Sequence, residues 1–205
     1  MQAAVKQPAD KKMTIPKGTG KEENIRRKDK MKKLFAVMMV LCVMLTAAAA
    51  FAGETAPTAV NWSDHEADAA KIKGQFANVA QTGLRMFVPA EFKDTEIPKE
   101  TLDAGTFMVL KTEKNDKAVV NAQIVETSID AFKAGLQSQG KTLWEMIVNG
   151  LPCTQFSAEA EGVTTVCFAF GTEKGTTLVF GFTLADQEPY TSLYKVMASS
   201  IQKAQ

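Results

Sequence analysis

Cys153-Thr154-Gln155-Phe156-Ser157-Ala158, Thr165-Val166-Cys167-Phe168-Ala169-Phe170 and Thr177-Leu178-Val179-Phe180-Gly181-Phe182-Thr183-Leu184 form three runs separated by Glu159-Ala160-Glu161-Gly162 and by Gly171 to Gly175. In each run the residues alternate with period two, with Phe156, Phe168, Phe170, Phe180 and Phe182 at even positions. Successive side chains of a strand point to opposite faces, so this rhythm predicts a three-strand antiparallel meander with one strongly apolar face. Burying each aromatic there is worth about 1.5–3 kcal/mol before conformational entropy is charged. Everything else is placed relative to that sheet.

Downstream, Tyr190, Leu193, Tyr194, Met197 and Ile201 recur at spacings of three and four, which predicts a closing helix over 188–202 with its apolar stripe on the meander. Upstream, Trp144 to Val148 reads as a strand ending at Asn149-Gly150. Ile129, Phe132 and Leu136 mark one stripe of a helix over 128–138, with Thr127 and Asp130 as its capping pair. Phe107 to Glu113 and Ala118 to Thr127 flank the polar turn Lys114-Asn115-Asp116-Lys117 and predict a hairpin. Residues 74–81 and Leu84 to Val88 predict a second strand pair joined near Thr82-Gly83 and closed by Pro89. Ser63 and Glu66 have the spacing of a capping box for a short helix reaching Lys71. Hairpins dominate and no strand–helix–strand alternation recurs, so the fold class is α+β, with a mainly antiparallel sheet and helices packed on it.

The first fifty residues read differently. Residues 1–30 carry nine Lys/Arg against four Asp/Glu, whereas residues 53–205 carry thirteen against nineteen. Lys32-Lys33 precede an apolar run from Leu34 to Leu45, and Ala50-Phe51-Ala52 puts small residues where a signal peptidase needs them. A secretory signal over 31–52, cleaved between Ala52 and Gly53, follows, and with it a periplasmic or extracellular destination. Residues 1–30 are then a disordered basic extension, or lie upstream of a true start at Met31. Residues 53–61 form a flexible lead-in and 62–205 one domain. The alternative is an uncleaved anchor, because Leu34 to Ala52 is almost long enough to span a bilayer; the membrane enters only through this leader.

The acidic body excludes nucleic acid as a partner, since phosphate binding needs clustered Lys/Arg to displace counterions. Cys153 and Cys167 would oppose each other if the first two meander strands turned about Ala160, and an exported chain could join them as a disulfide. The other reading is two buried thiols. His65, within Asp64-His65-Glu66 and near Asp68, could begin a metal site, yet acidic residues also suit a first helical turn facing solvent. As the single histidine it leaves little room for a Ser-His-Asp design. Glu159 and Glu161 fall in a turn that they would solvate. Trp62, Trp144, Tyr190 and Tyr194 could line a ligand groove, although aromatics at strand and helix spacing are more often core, as are Met86 and Met197.

An opening acidic helix, a strand pair ending Leu84-Arg85-Met86-Phe87-Val88-Pro89, a hairpin and helix, Asn149-Gly150-Leu151-Pro152 leading into the meander, and a last helix with Ser199-Ser200-Ile201 come in this order. In that order the chain resembles the Mog1/PsbP-like α/β/α sandwich proteins. The resemblance implies helices on both faces of a sheet and an exported bacterial protein. It supplies no functional residue, because members of the family do unrelated things and have no motif to match here. No catalytic, cofactor-binding or metal-binding residue is assigned. The expectation is an exported non-enzymatic binding or accessory domain for an unknown protein or small-molecule ligand. A metal-dependent or otherwise unrecognised envelope enzyme and a membrane-anchored structural protein are the alternatives.

Overall fold

Asn149 and Gly150 both have positive φ (49° and 80°), which makes them the two-residue turn that folds β7 (Leu143–Val148) back on β8 (Leu151–Ala160). Asn and Gly tolerate that backbone where a β-branched residue would not. The computed structural model to which these strands belong describes residues 57–80, 82–160 and 162–204. The extension 1–30, the leader 31–52 and the junction Ala52/Gly53 lie outside the described residues.

The large sheet has eight strands in the order β1-β7-β8-β9-β10-β6-β5-β4. The meander is its centre: β8, β9 (Val163–Gly171) and β10 (Thr177–Thr183), continued by β6 (Asn115–Val125) and β5 (Thr106–Thr112). Two short strands close its edges, β1 (Thr58–Val60) and β4 (Phe92–Asp94), and only β1 on β7 runs parallel. The second sheet has three strands in the order β11-β3-β2, from β2 (Gly74–Val79), β3 (Leu84–Pro89) and β11 (Gln202–Lys203). The α-helices are α1 (Glu66–Ala69), α2 (Lys99–Asp103), α3 (Ile129–Ser138) and α4 (Tyr190–Ser199). This is an α+β fold with a mostly antiparallel sheet.

Both faces of the meander are buried, and every residue of β10 is inaccessible, so the expectation of one apolar face is corrected. Phe170, Phe180 and Phe182 pack with Tyr190, Leu193, Tyr194 and Met197 of α4. On the opposite face Phe156, Cys167, Ala169 and Val179 pack with Phe132 and Leu136 of α3. Phe156 therefore lies across the sheet from the other phenylalanines.

The same register separates the cysteines. Ala160 pairs with Val163 and Phe156 with Cys167, so the strands reverse between Ala160 and Val163 and not about Ala160. Gly162 has φ 70°, a conformation its lack of a Cβ makes cheap. The ladder is thus displaced by three residues from the register a disulfide requires, and an odd displacement sends alternate side chains to the other face. Cys153 sits with the α4 face and Cys167 with the α3 face, both buried and both free. The expected Cys153–Cys167 bridge does not form.

Several boundaries also move. The box at Ser63 fails: its Oγ donates to the Asp64 carboxylate at 3.5 Å, Trp62–Asp64 makes a 3-10 turn, and α1 is a single turn beginning after His65. Ser128 rather than Thr127 caps α3, its Oγ accepting from the Ala131 amide at 3.3 Å, while the Thr127 carbonyl takes a hydrogen bond from the Thr177 hydroxyl at 2.8 Å. The last helix stops at Ser199, and the next residues leave it to pair with β3 as β11. Gly105 is required where it stands, because its φ is 89° and a Cβ would strike the Ile124 carbonyl oxygen of β6.

Candidate functional site

At one end of the molecule the tips of two hairpins from different sheets stand apart and leave a cleft of about 460 Å3. Its floor comes from the pleat of the large sheet. Phe170, Leu178 and Ile124 are directly opposed across β9, β10 and β6, which puts all three on the α4 face. Leu151, at the start of β8, and Leu84, at the start of β3, extend the apolar lining. Phe170 and Leu178 are fully buried; Ile124, Leu151 and Leu84 are half-buried and reach the cleft.

The walls are held by their own hydrogen bonds. In the β9–β10 turn the Thr172 amide donates to the Thr176 carbonyl at 2.9 Å, the Gly175 amide to the Thr172 carbonyl at 3.1 Å, and the two threonine hydroxyls meet at 2.7 Å. In the β2–β3 turn the Thr82 hydroxyl donates to the Val79 carbonyl at 2.8 Å and accepts from the Leu84 amide at 3.2 Å. The Ala204 amide donates to the Gly83 carbonyl at 2.8 Å, fastening the chain's last strand beside this tip and bringing Lys203 to the rim. Lys174 and Glu173 stand on the facing turn. All three charged side chains are exposed, and neither lysine has an ion-pair partner among the described residues. The lining thus combines an apolar floor with a rim of net charge +1, on a body whose balance is acidic. It holds no His or Cys, and its threonine hydroxyls are committed to local turns.

A second cavity, of about 640 Å3, lies between β2 of the small sheet and β4 and β5 of the large one.

The residues singled out from the sequence do not meet in either cavity. His65 lies between the 3-10 turn and α1, and Asp68 is engaged by Lys71, Oδ1 to Nζ 2.9 Å, which holds its carboxyl below the usual range. Among the described residues no three His, Cys, Asp or Glu side chains gather as a metal site would need. Trp62 packs edge-on against Phe76 with centroids 5.3 Å apart, and lies 6.0 Å from Phe87. Trp144 is 47% exposed on β7. Tyr190 and Tyr194 stack at 5.9 Å, and Tyr194 contacts Phe182 and Phe92. Burial first, then the neighbouring Tyr190 and Glu91, push the Tyr194 hydroxyl well above its ordinary pKa, and that buried oxygen has no hydrogen-bond partner among the described residues. Met86 and Met197 are core. Burial pushes the Cys153 thiol up to about 12, so it is neither thiolate nor nucleophile near neutrality. Glu159 is exposed near the end of β8, and Glu161 lies outside the described residues.

The side chain that sequence reasoning passed over is Asn149. Its Oδ1 accepts from the Trp62 amide at 2.6 Å, and its Nδ2 donates to the Ser199 and Ile201 carbonyls at 2.7 and 2.9 Å. One amide thereby ties the segment between β1 and α1 to the end of α4. The pair Asn149-Gly150 was visible as a turn, but nothing in its spacing showed what the side chain would meet.

Among the described residues no helix is long and apolar enough to cross a membrane. No family model matches the chain. No curated protein matches it either. Among solved structures it is similar to a cyanobacterial PsbP protein (CyanoP) from Synechocystis sp. PCC 6803, with TM-score 0.47 and 11% identity over 65% of this chain and 94% of that one. It is also similar to a protein from Bacteroides thetaiotaomicron VPI-5482, with TM-score 0.42 and 12% identity over 62% of this chain and 48% of that one. At these identities neither neighbour carries a ligand, partner or activity across.

Proposed function

We propose that the chain is an exported, non-enzymatic binding or accessory domain whose ligand is an amphiphile with a single anionic head, held in the 460 Å3 cleft. The observation that carries this reading is the pairing of an apolar floor with two rim lysines that have no ion-pair partner among the described residues. Apolar pockets with a few convergent polar groups are the usual form of a small-molecule site. The walls keep their shape through backbone and threonine hydrogen bonds, so little ordering is needed on binding. Export through 31–52 with cleavage at Ala52/Gly53, a periplasmic or extracellular location, and an α/β/α sandwich over 62–205 to which β1 (Thr58–Val60) adds an edge strand belong to the same proposal. N-terminal sequencing of the secreted product tests the first of these.

Calorimetric titration with decanoate and decanol tests the cleft. Decanoate should bind more tightly than decanol, and the pair of changes Lys174→Gln and Lys203→Gln should bring decanoate down to the decanol level. Each lysine stands at an exposed rim, so each contributes only about 0.5–1 kcal/mol. Equal affinity for the two compounds in the unaltered protein removes the anionic head from the proposal. No heat from either compound removes the cleft.

A further inference from the structure

The 640 Å3 cavity between the two sheets takes its chemistry from the pleats of its walls. On the small sheet Gln75 pairs with Val88, Ala77 with Met86 and Val79 with Leu84. Val79 and Met86 are core, so Gln75, Ala77 and Val88 share that inward pleat. On the large sheet Leu110 pairs with both Asp94 and Val120, and Met108 pairs with Ala122. Leu110, Val120 and Ala122 are core, which puts Asp94 on the inward pleat as well, two residues from buried Phe92. Lys93 also borders the cavity, but its side chain belongs to the opposite pleat, where it lies across the ladder from Lys111.

The wall formed by Phe92, Met108 and Leu110 therefore carries one exposed carboxylate and no cation on the same pleat. Asp94 has no ion-pair partner among the described residues. Opposite it the small sheet presents the Gln75 carboxamide, a second acceptor. A neutral apolar guest would strip water from the carboxylate and return no partner to it, and an anion would be repelled. A hard metal ion would need several oxygen ligands, whereas Asp94 is the single carboxylate of the lining. An organic cation satisfies both the wall and the charge. The acidic balance of residues 53–205, nineteen Asp/Glu against thirteen Lys/Arg, raises the local concentration of such a guest.

We propose that this cavity binds a small primary amine with an apolar body, its ammonium against Asp94 and its body on Phe92, Met108 and Leu110. The volume falls in the ordinary range of small-molecule sites. This site is separate from the amphiphile cleft and opposite to it in charge preference, and either can fail without the other.

The test is calorimetric and NMR titration of the purified protein with hexylamine, hexanol and hexanoate. Hexylamine should shift the amides of Ala77, Asp94 and Met108 and should bind about two- to fivefold more tightly than hexanol, the range expected for one exposed charge pair. Hexanoate should not shift these amides. Lengthening the amine by one methylene should tighten it by up to about fourfold. Asp94→Asn should bring hexylamine to the hexanol level, whereas Lys93→Gln, a charge change of the same size on the other pleat, should not weaken it. Equal affinity for hexylamine and hexanol in the unaltered protein overturns the proposal. So does no shift at millimolar hexylamine, equal weakening by both substitutions, or a response confined to Leu84 and Lys174, which would place the amine in the other cleft.

Discussion

Replacing Asn149 should destabilise the protein more than any change at an exposed turn ordinarily does. The residue has φ 49° and makes three hydrogen bonds, to the Trp62 amide and to the Ser199 and Ile201 carbonyls. At about 1 kcal/mol each, Asn149→Ala loses about 3 kcal/mol of hydrogen bonding. Alanine in the left-handed region adds about 1 kcal/mol that asparagine largely avoids. The total of about 4 kcal/mol corresponds to a fall in Tm of roughly 8–16 °C for a domain of this size. Asn149→Gly separates the terms: it loses the same bonds but accepts the backbone, so it should be the milder change by up to about 1 kcal/mol. Urea unfolding of the three proteins, followed by far-UV circular dichroism, measures both differences. Hydrogen exchange should show the loss concentrated at β1 and at the end of α4. A cost below about 1 kcal/mol for Asn149→Ala would refute the claim that this side chain joins the segment at Trp62 to the end of α4.

Peptide mapping after alkylation should find Cys153 and Cys167 unmodified in the native protein at pH 8 and both modified after unfolding without reductant; a Cys153–Cys167 linked peptide would contradict the register described above. Stability should also fall at alkaline pH. Tyr194 holds its proton more firmly when folded than unfolded, so the unfolded state loses it first and stability declines above about pH 10, by at most about 1.4 kcal/mol per pH unit. Cys153 acts with the same sign, its contribution being lost from about pH 9 toward its folded value of about 12. Urea midpoints between pH 8 and 11 should therefore fall less steeply in Tyr194→Phe than in the unaltered protein, and identical slopes would remove Tyr194 as the cause.

The period-two rhythm and the three-and-four spacings were enough to place the meander, β2 with β3, α3 and α4, because each burial pattern follows from local geometry alone. The register was not readable from the rhythm. Four consecutive turn-forming residues, Glu159-Ala160-Glu161-Gly162, allow several centres, and the rhythm is satisfied by all of them. The available signal was Gly162, whose position fits the second residue of a two-residue loop. That single choice decides whether Cys153 and Phe156 look toward α4 or α3. Short elements such as β1, β4 and β11 carry too few residues for any period and exist through their partners. The cleft was invisible for a related reason: its lining comes from five separated segments that meet only once both sheets are formed.

Because one carboxamide touches both Trp62 and Ile201, the beginning and the finish of the folded chain are neighbours. A glycine-serine bridge could therefore join the last described residues to Thr58, keeping β1. The polypeptide could then be opened at Gly140, where the backbone has φ 71° and nothing crowds the α-carbon. The rearranged gene would encode the same contacts in a new order, with α3 at its tail and β7 at its head.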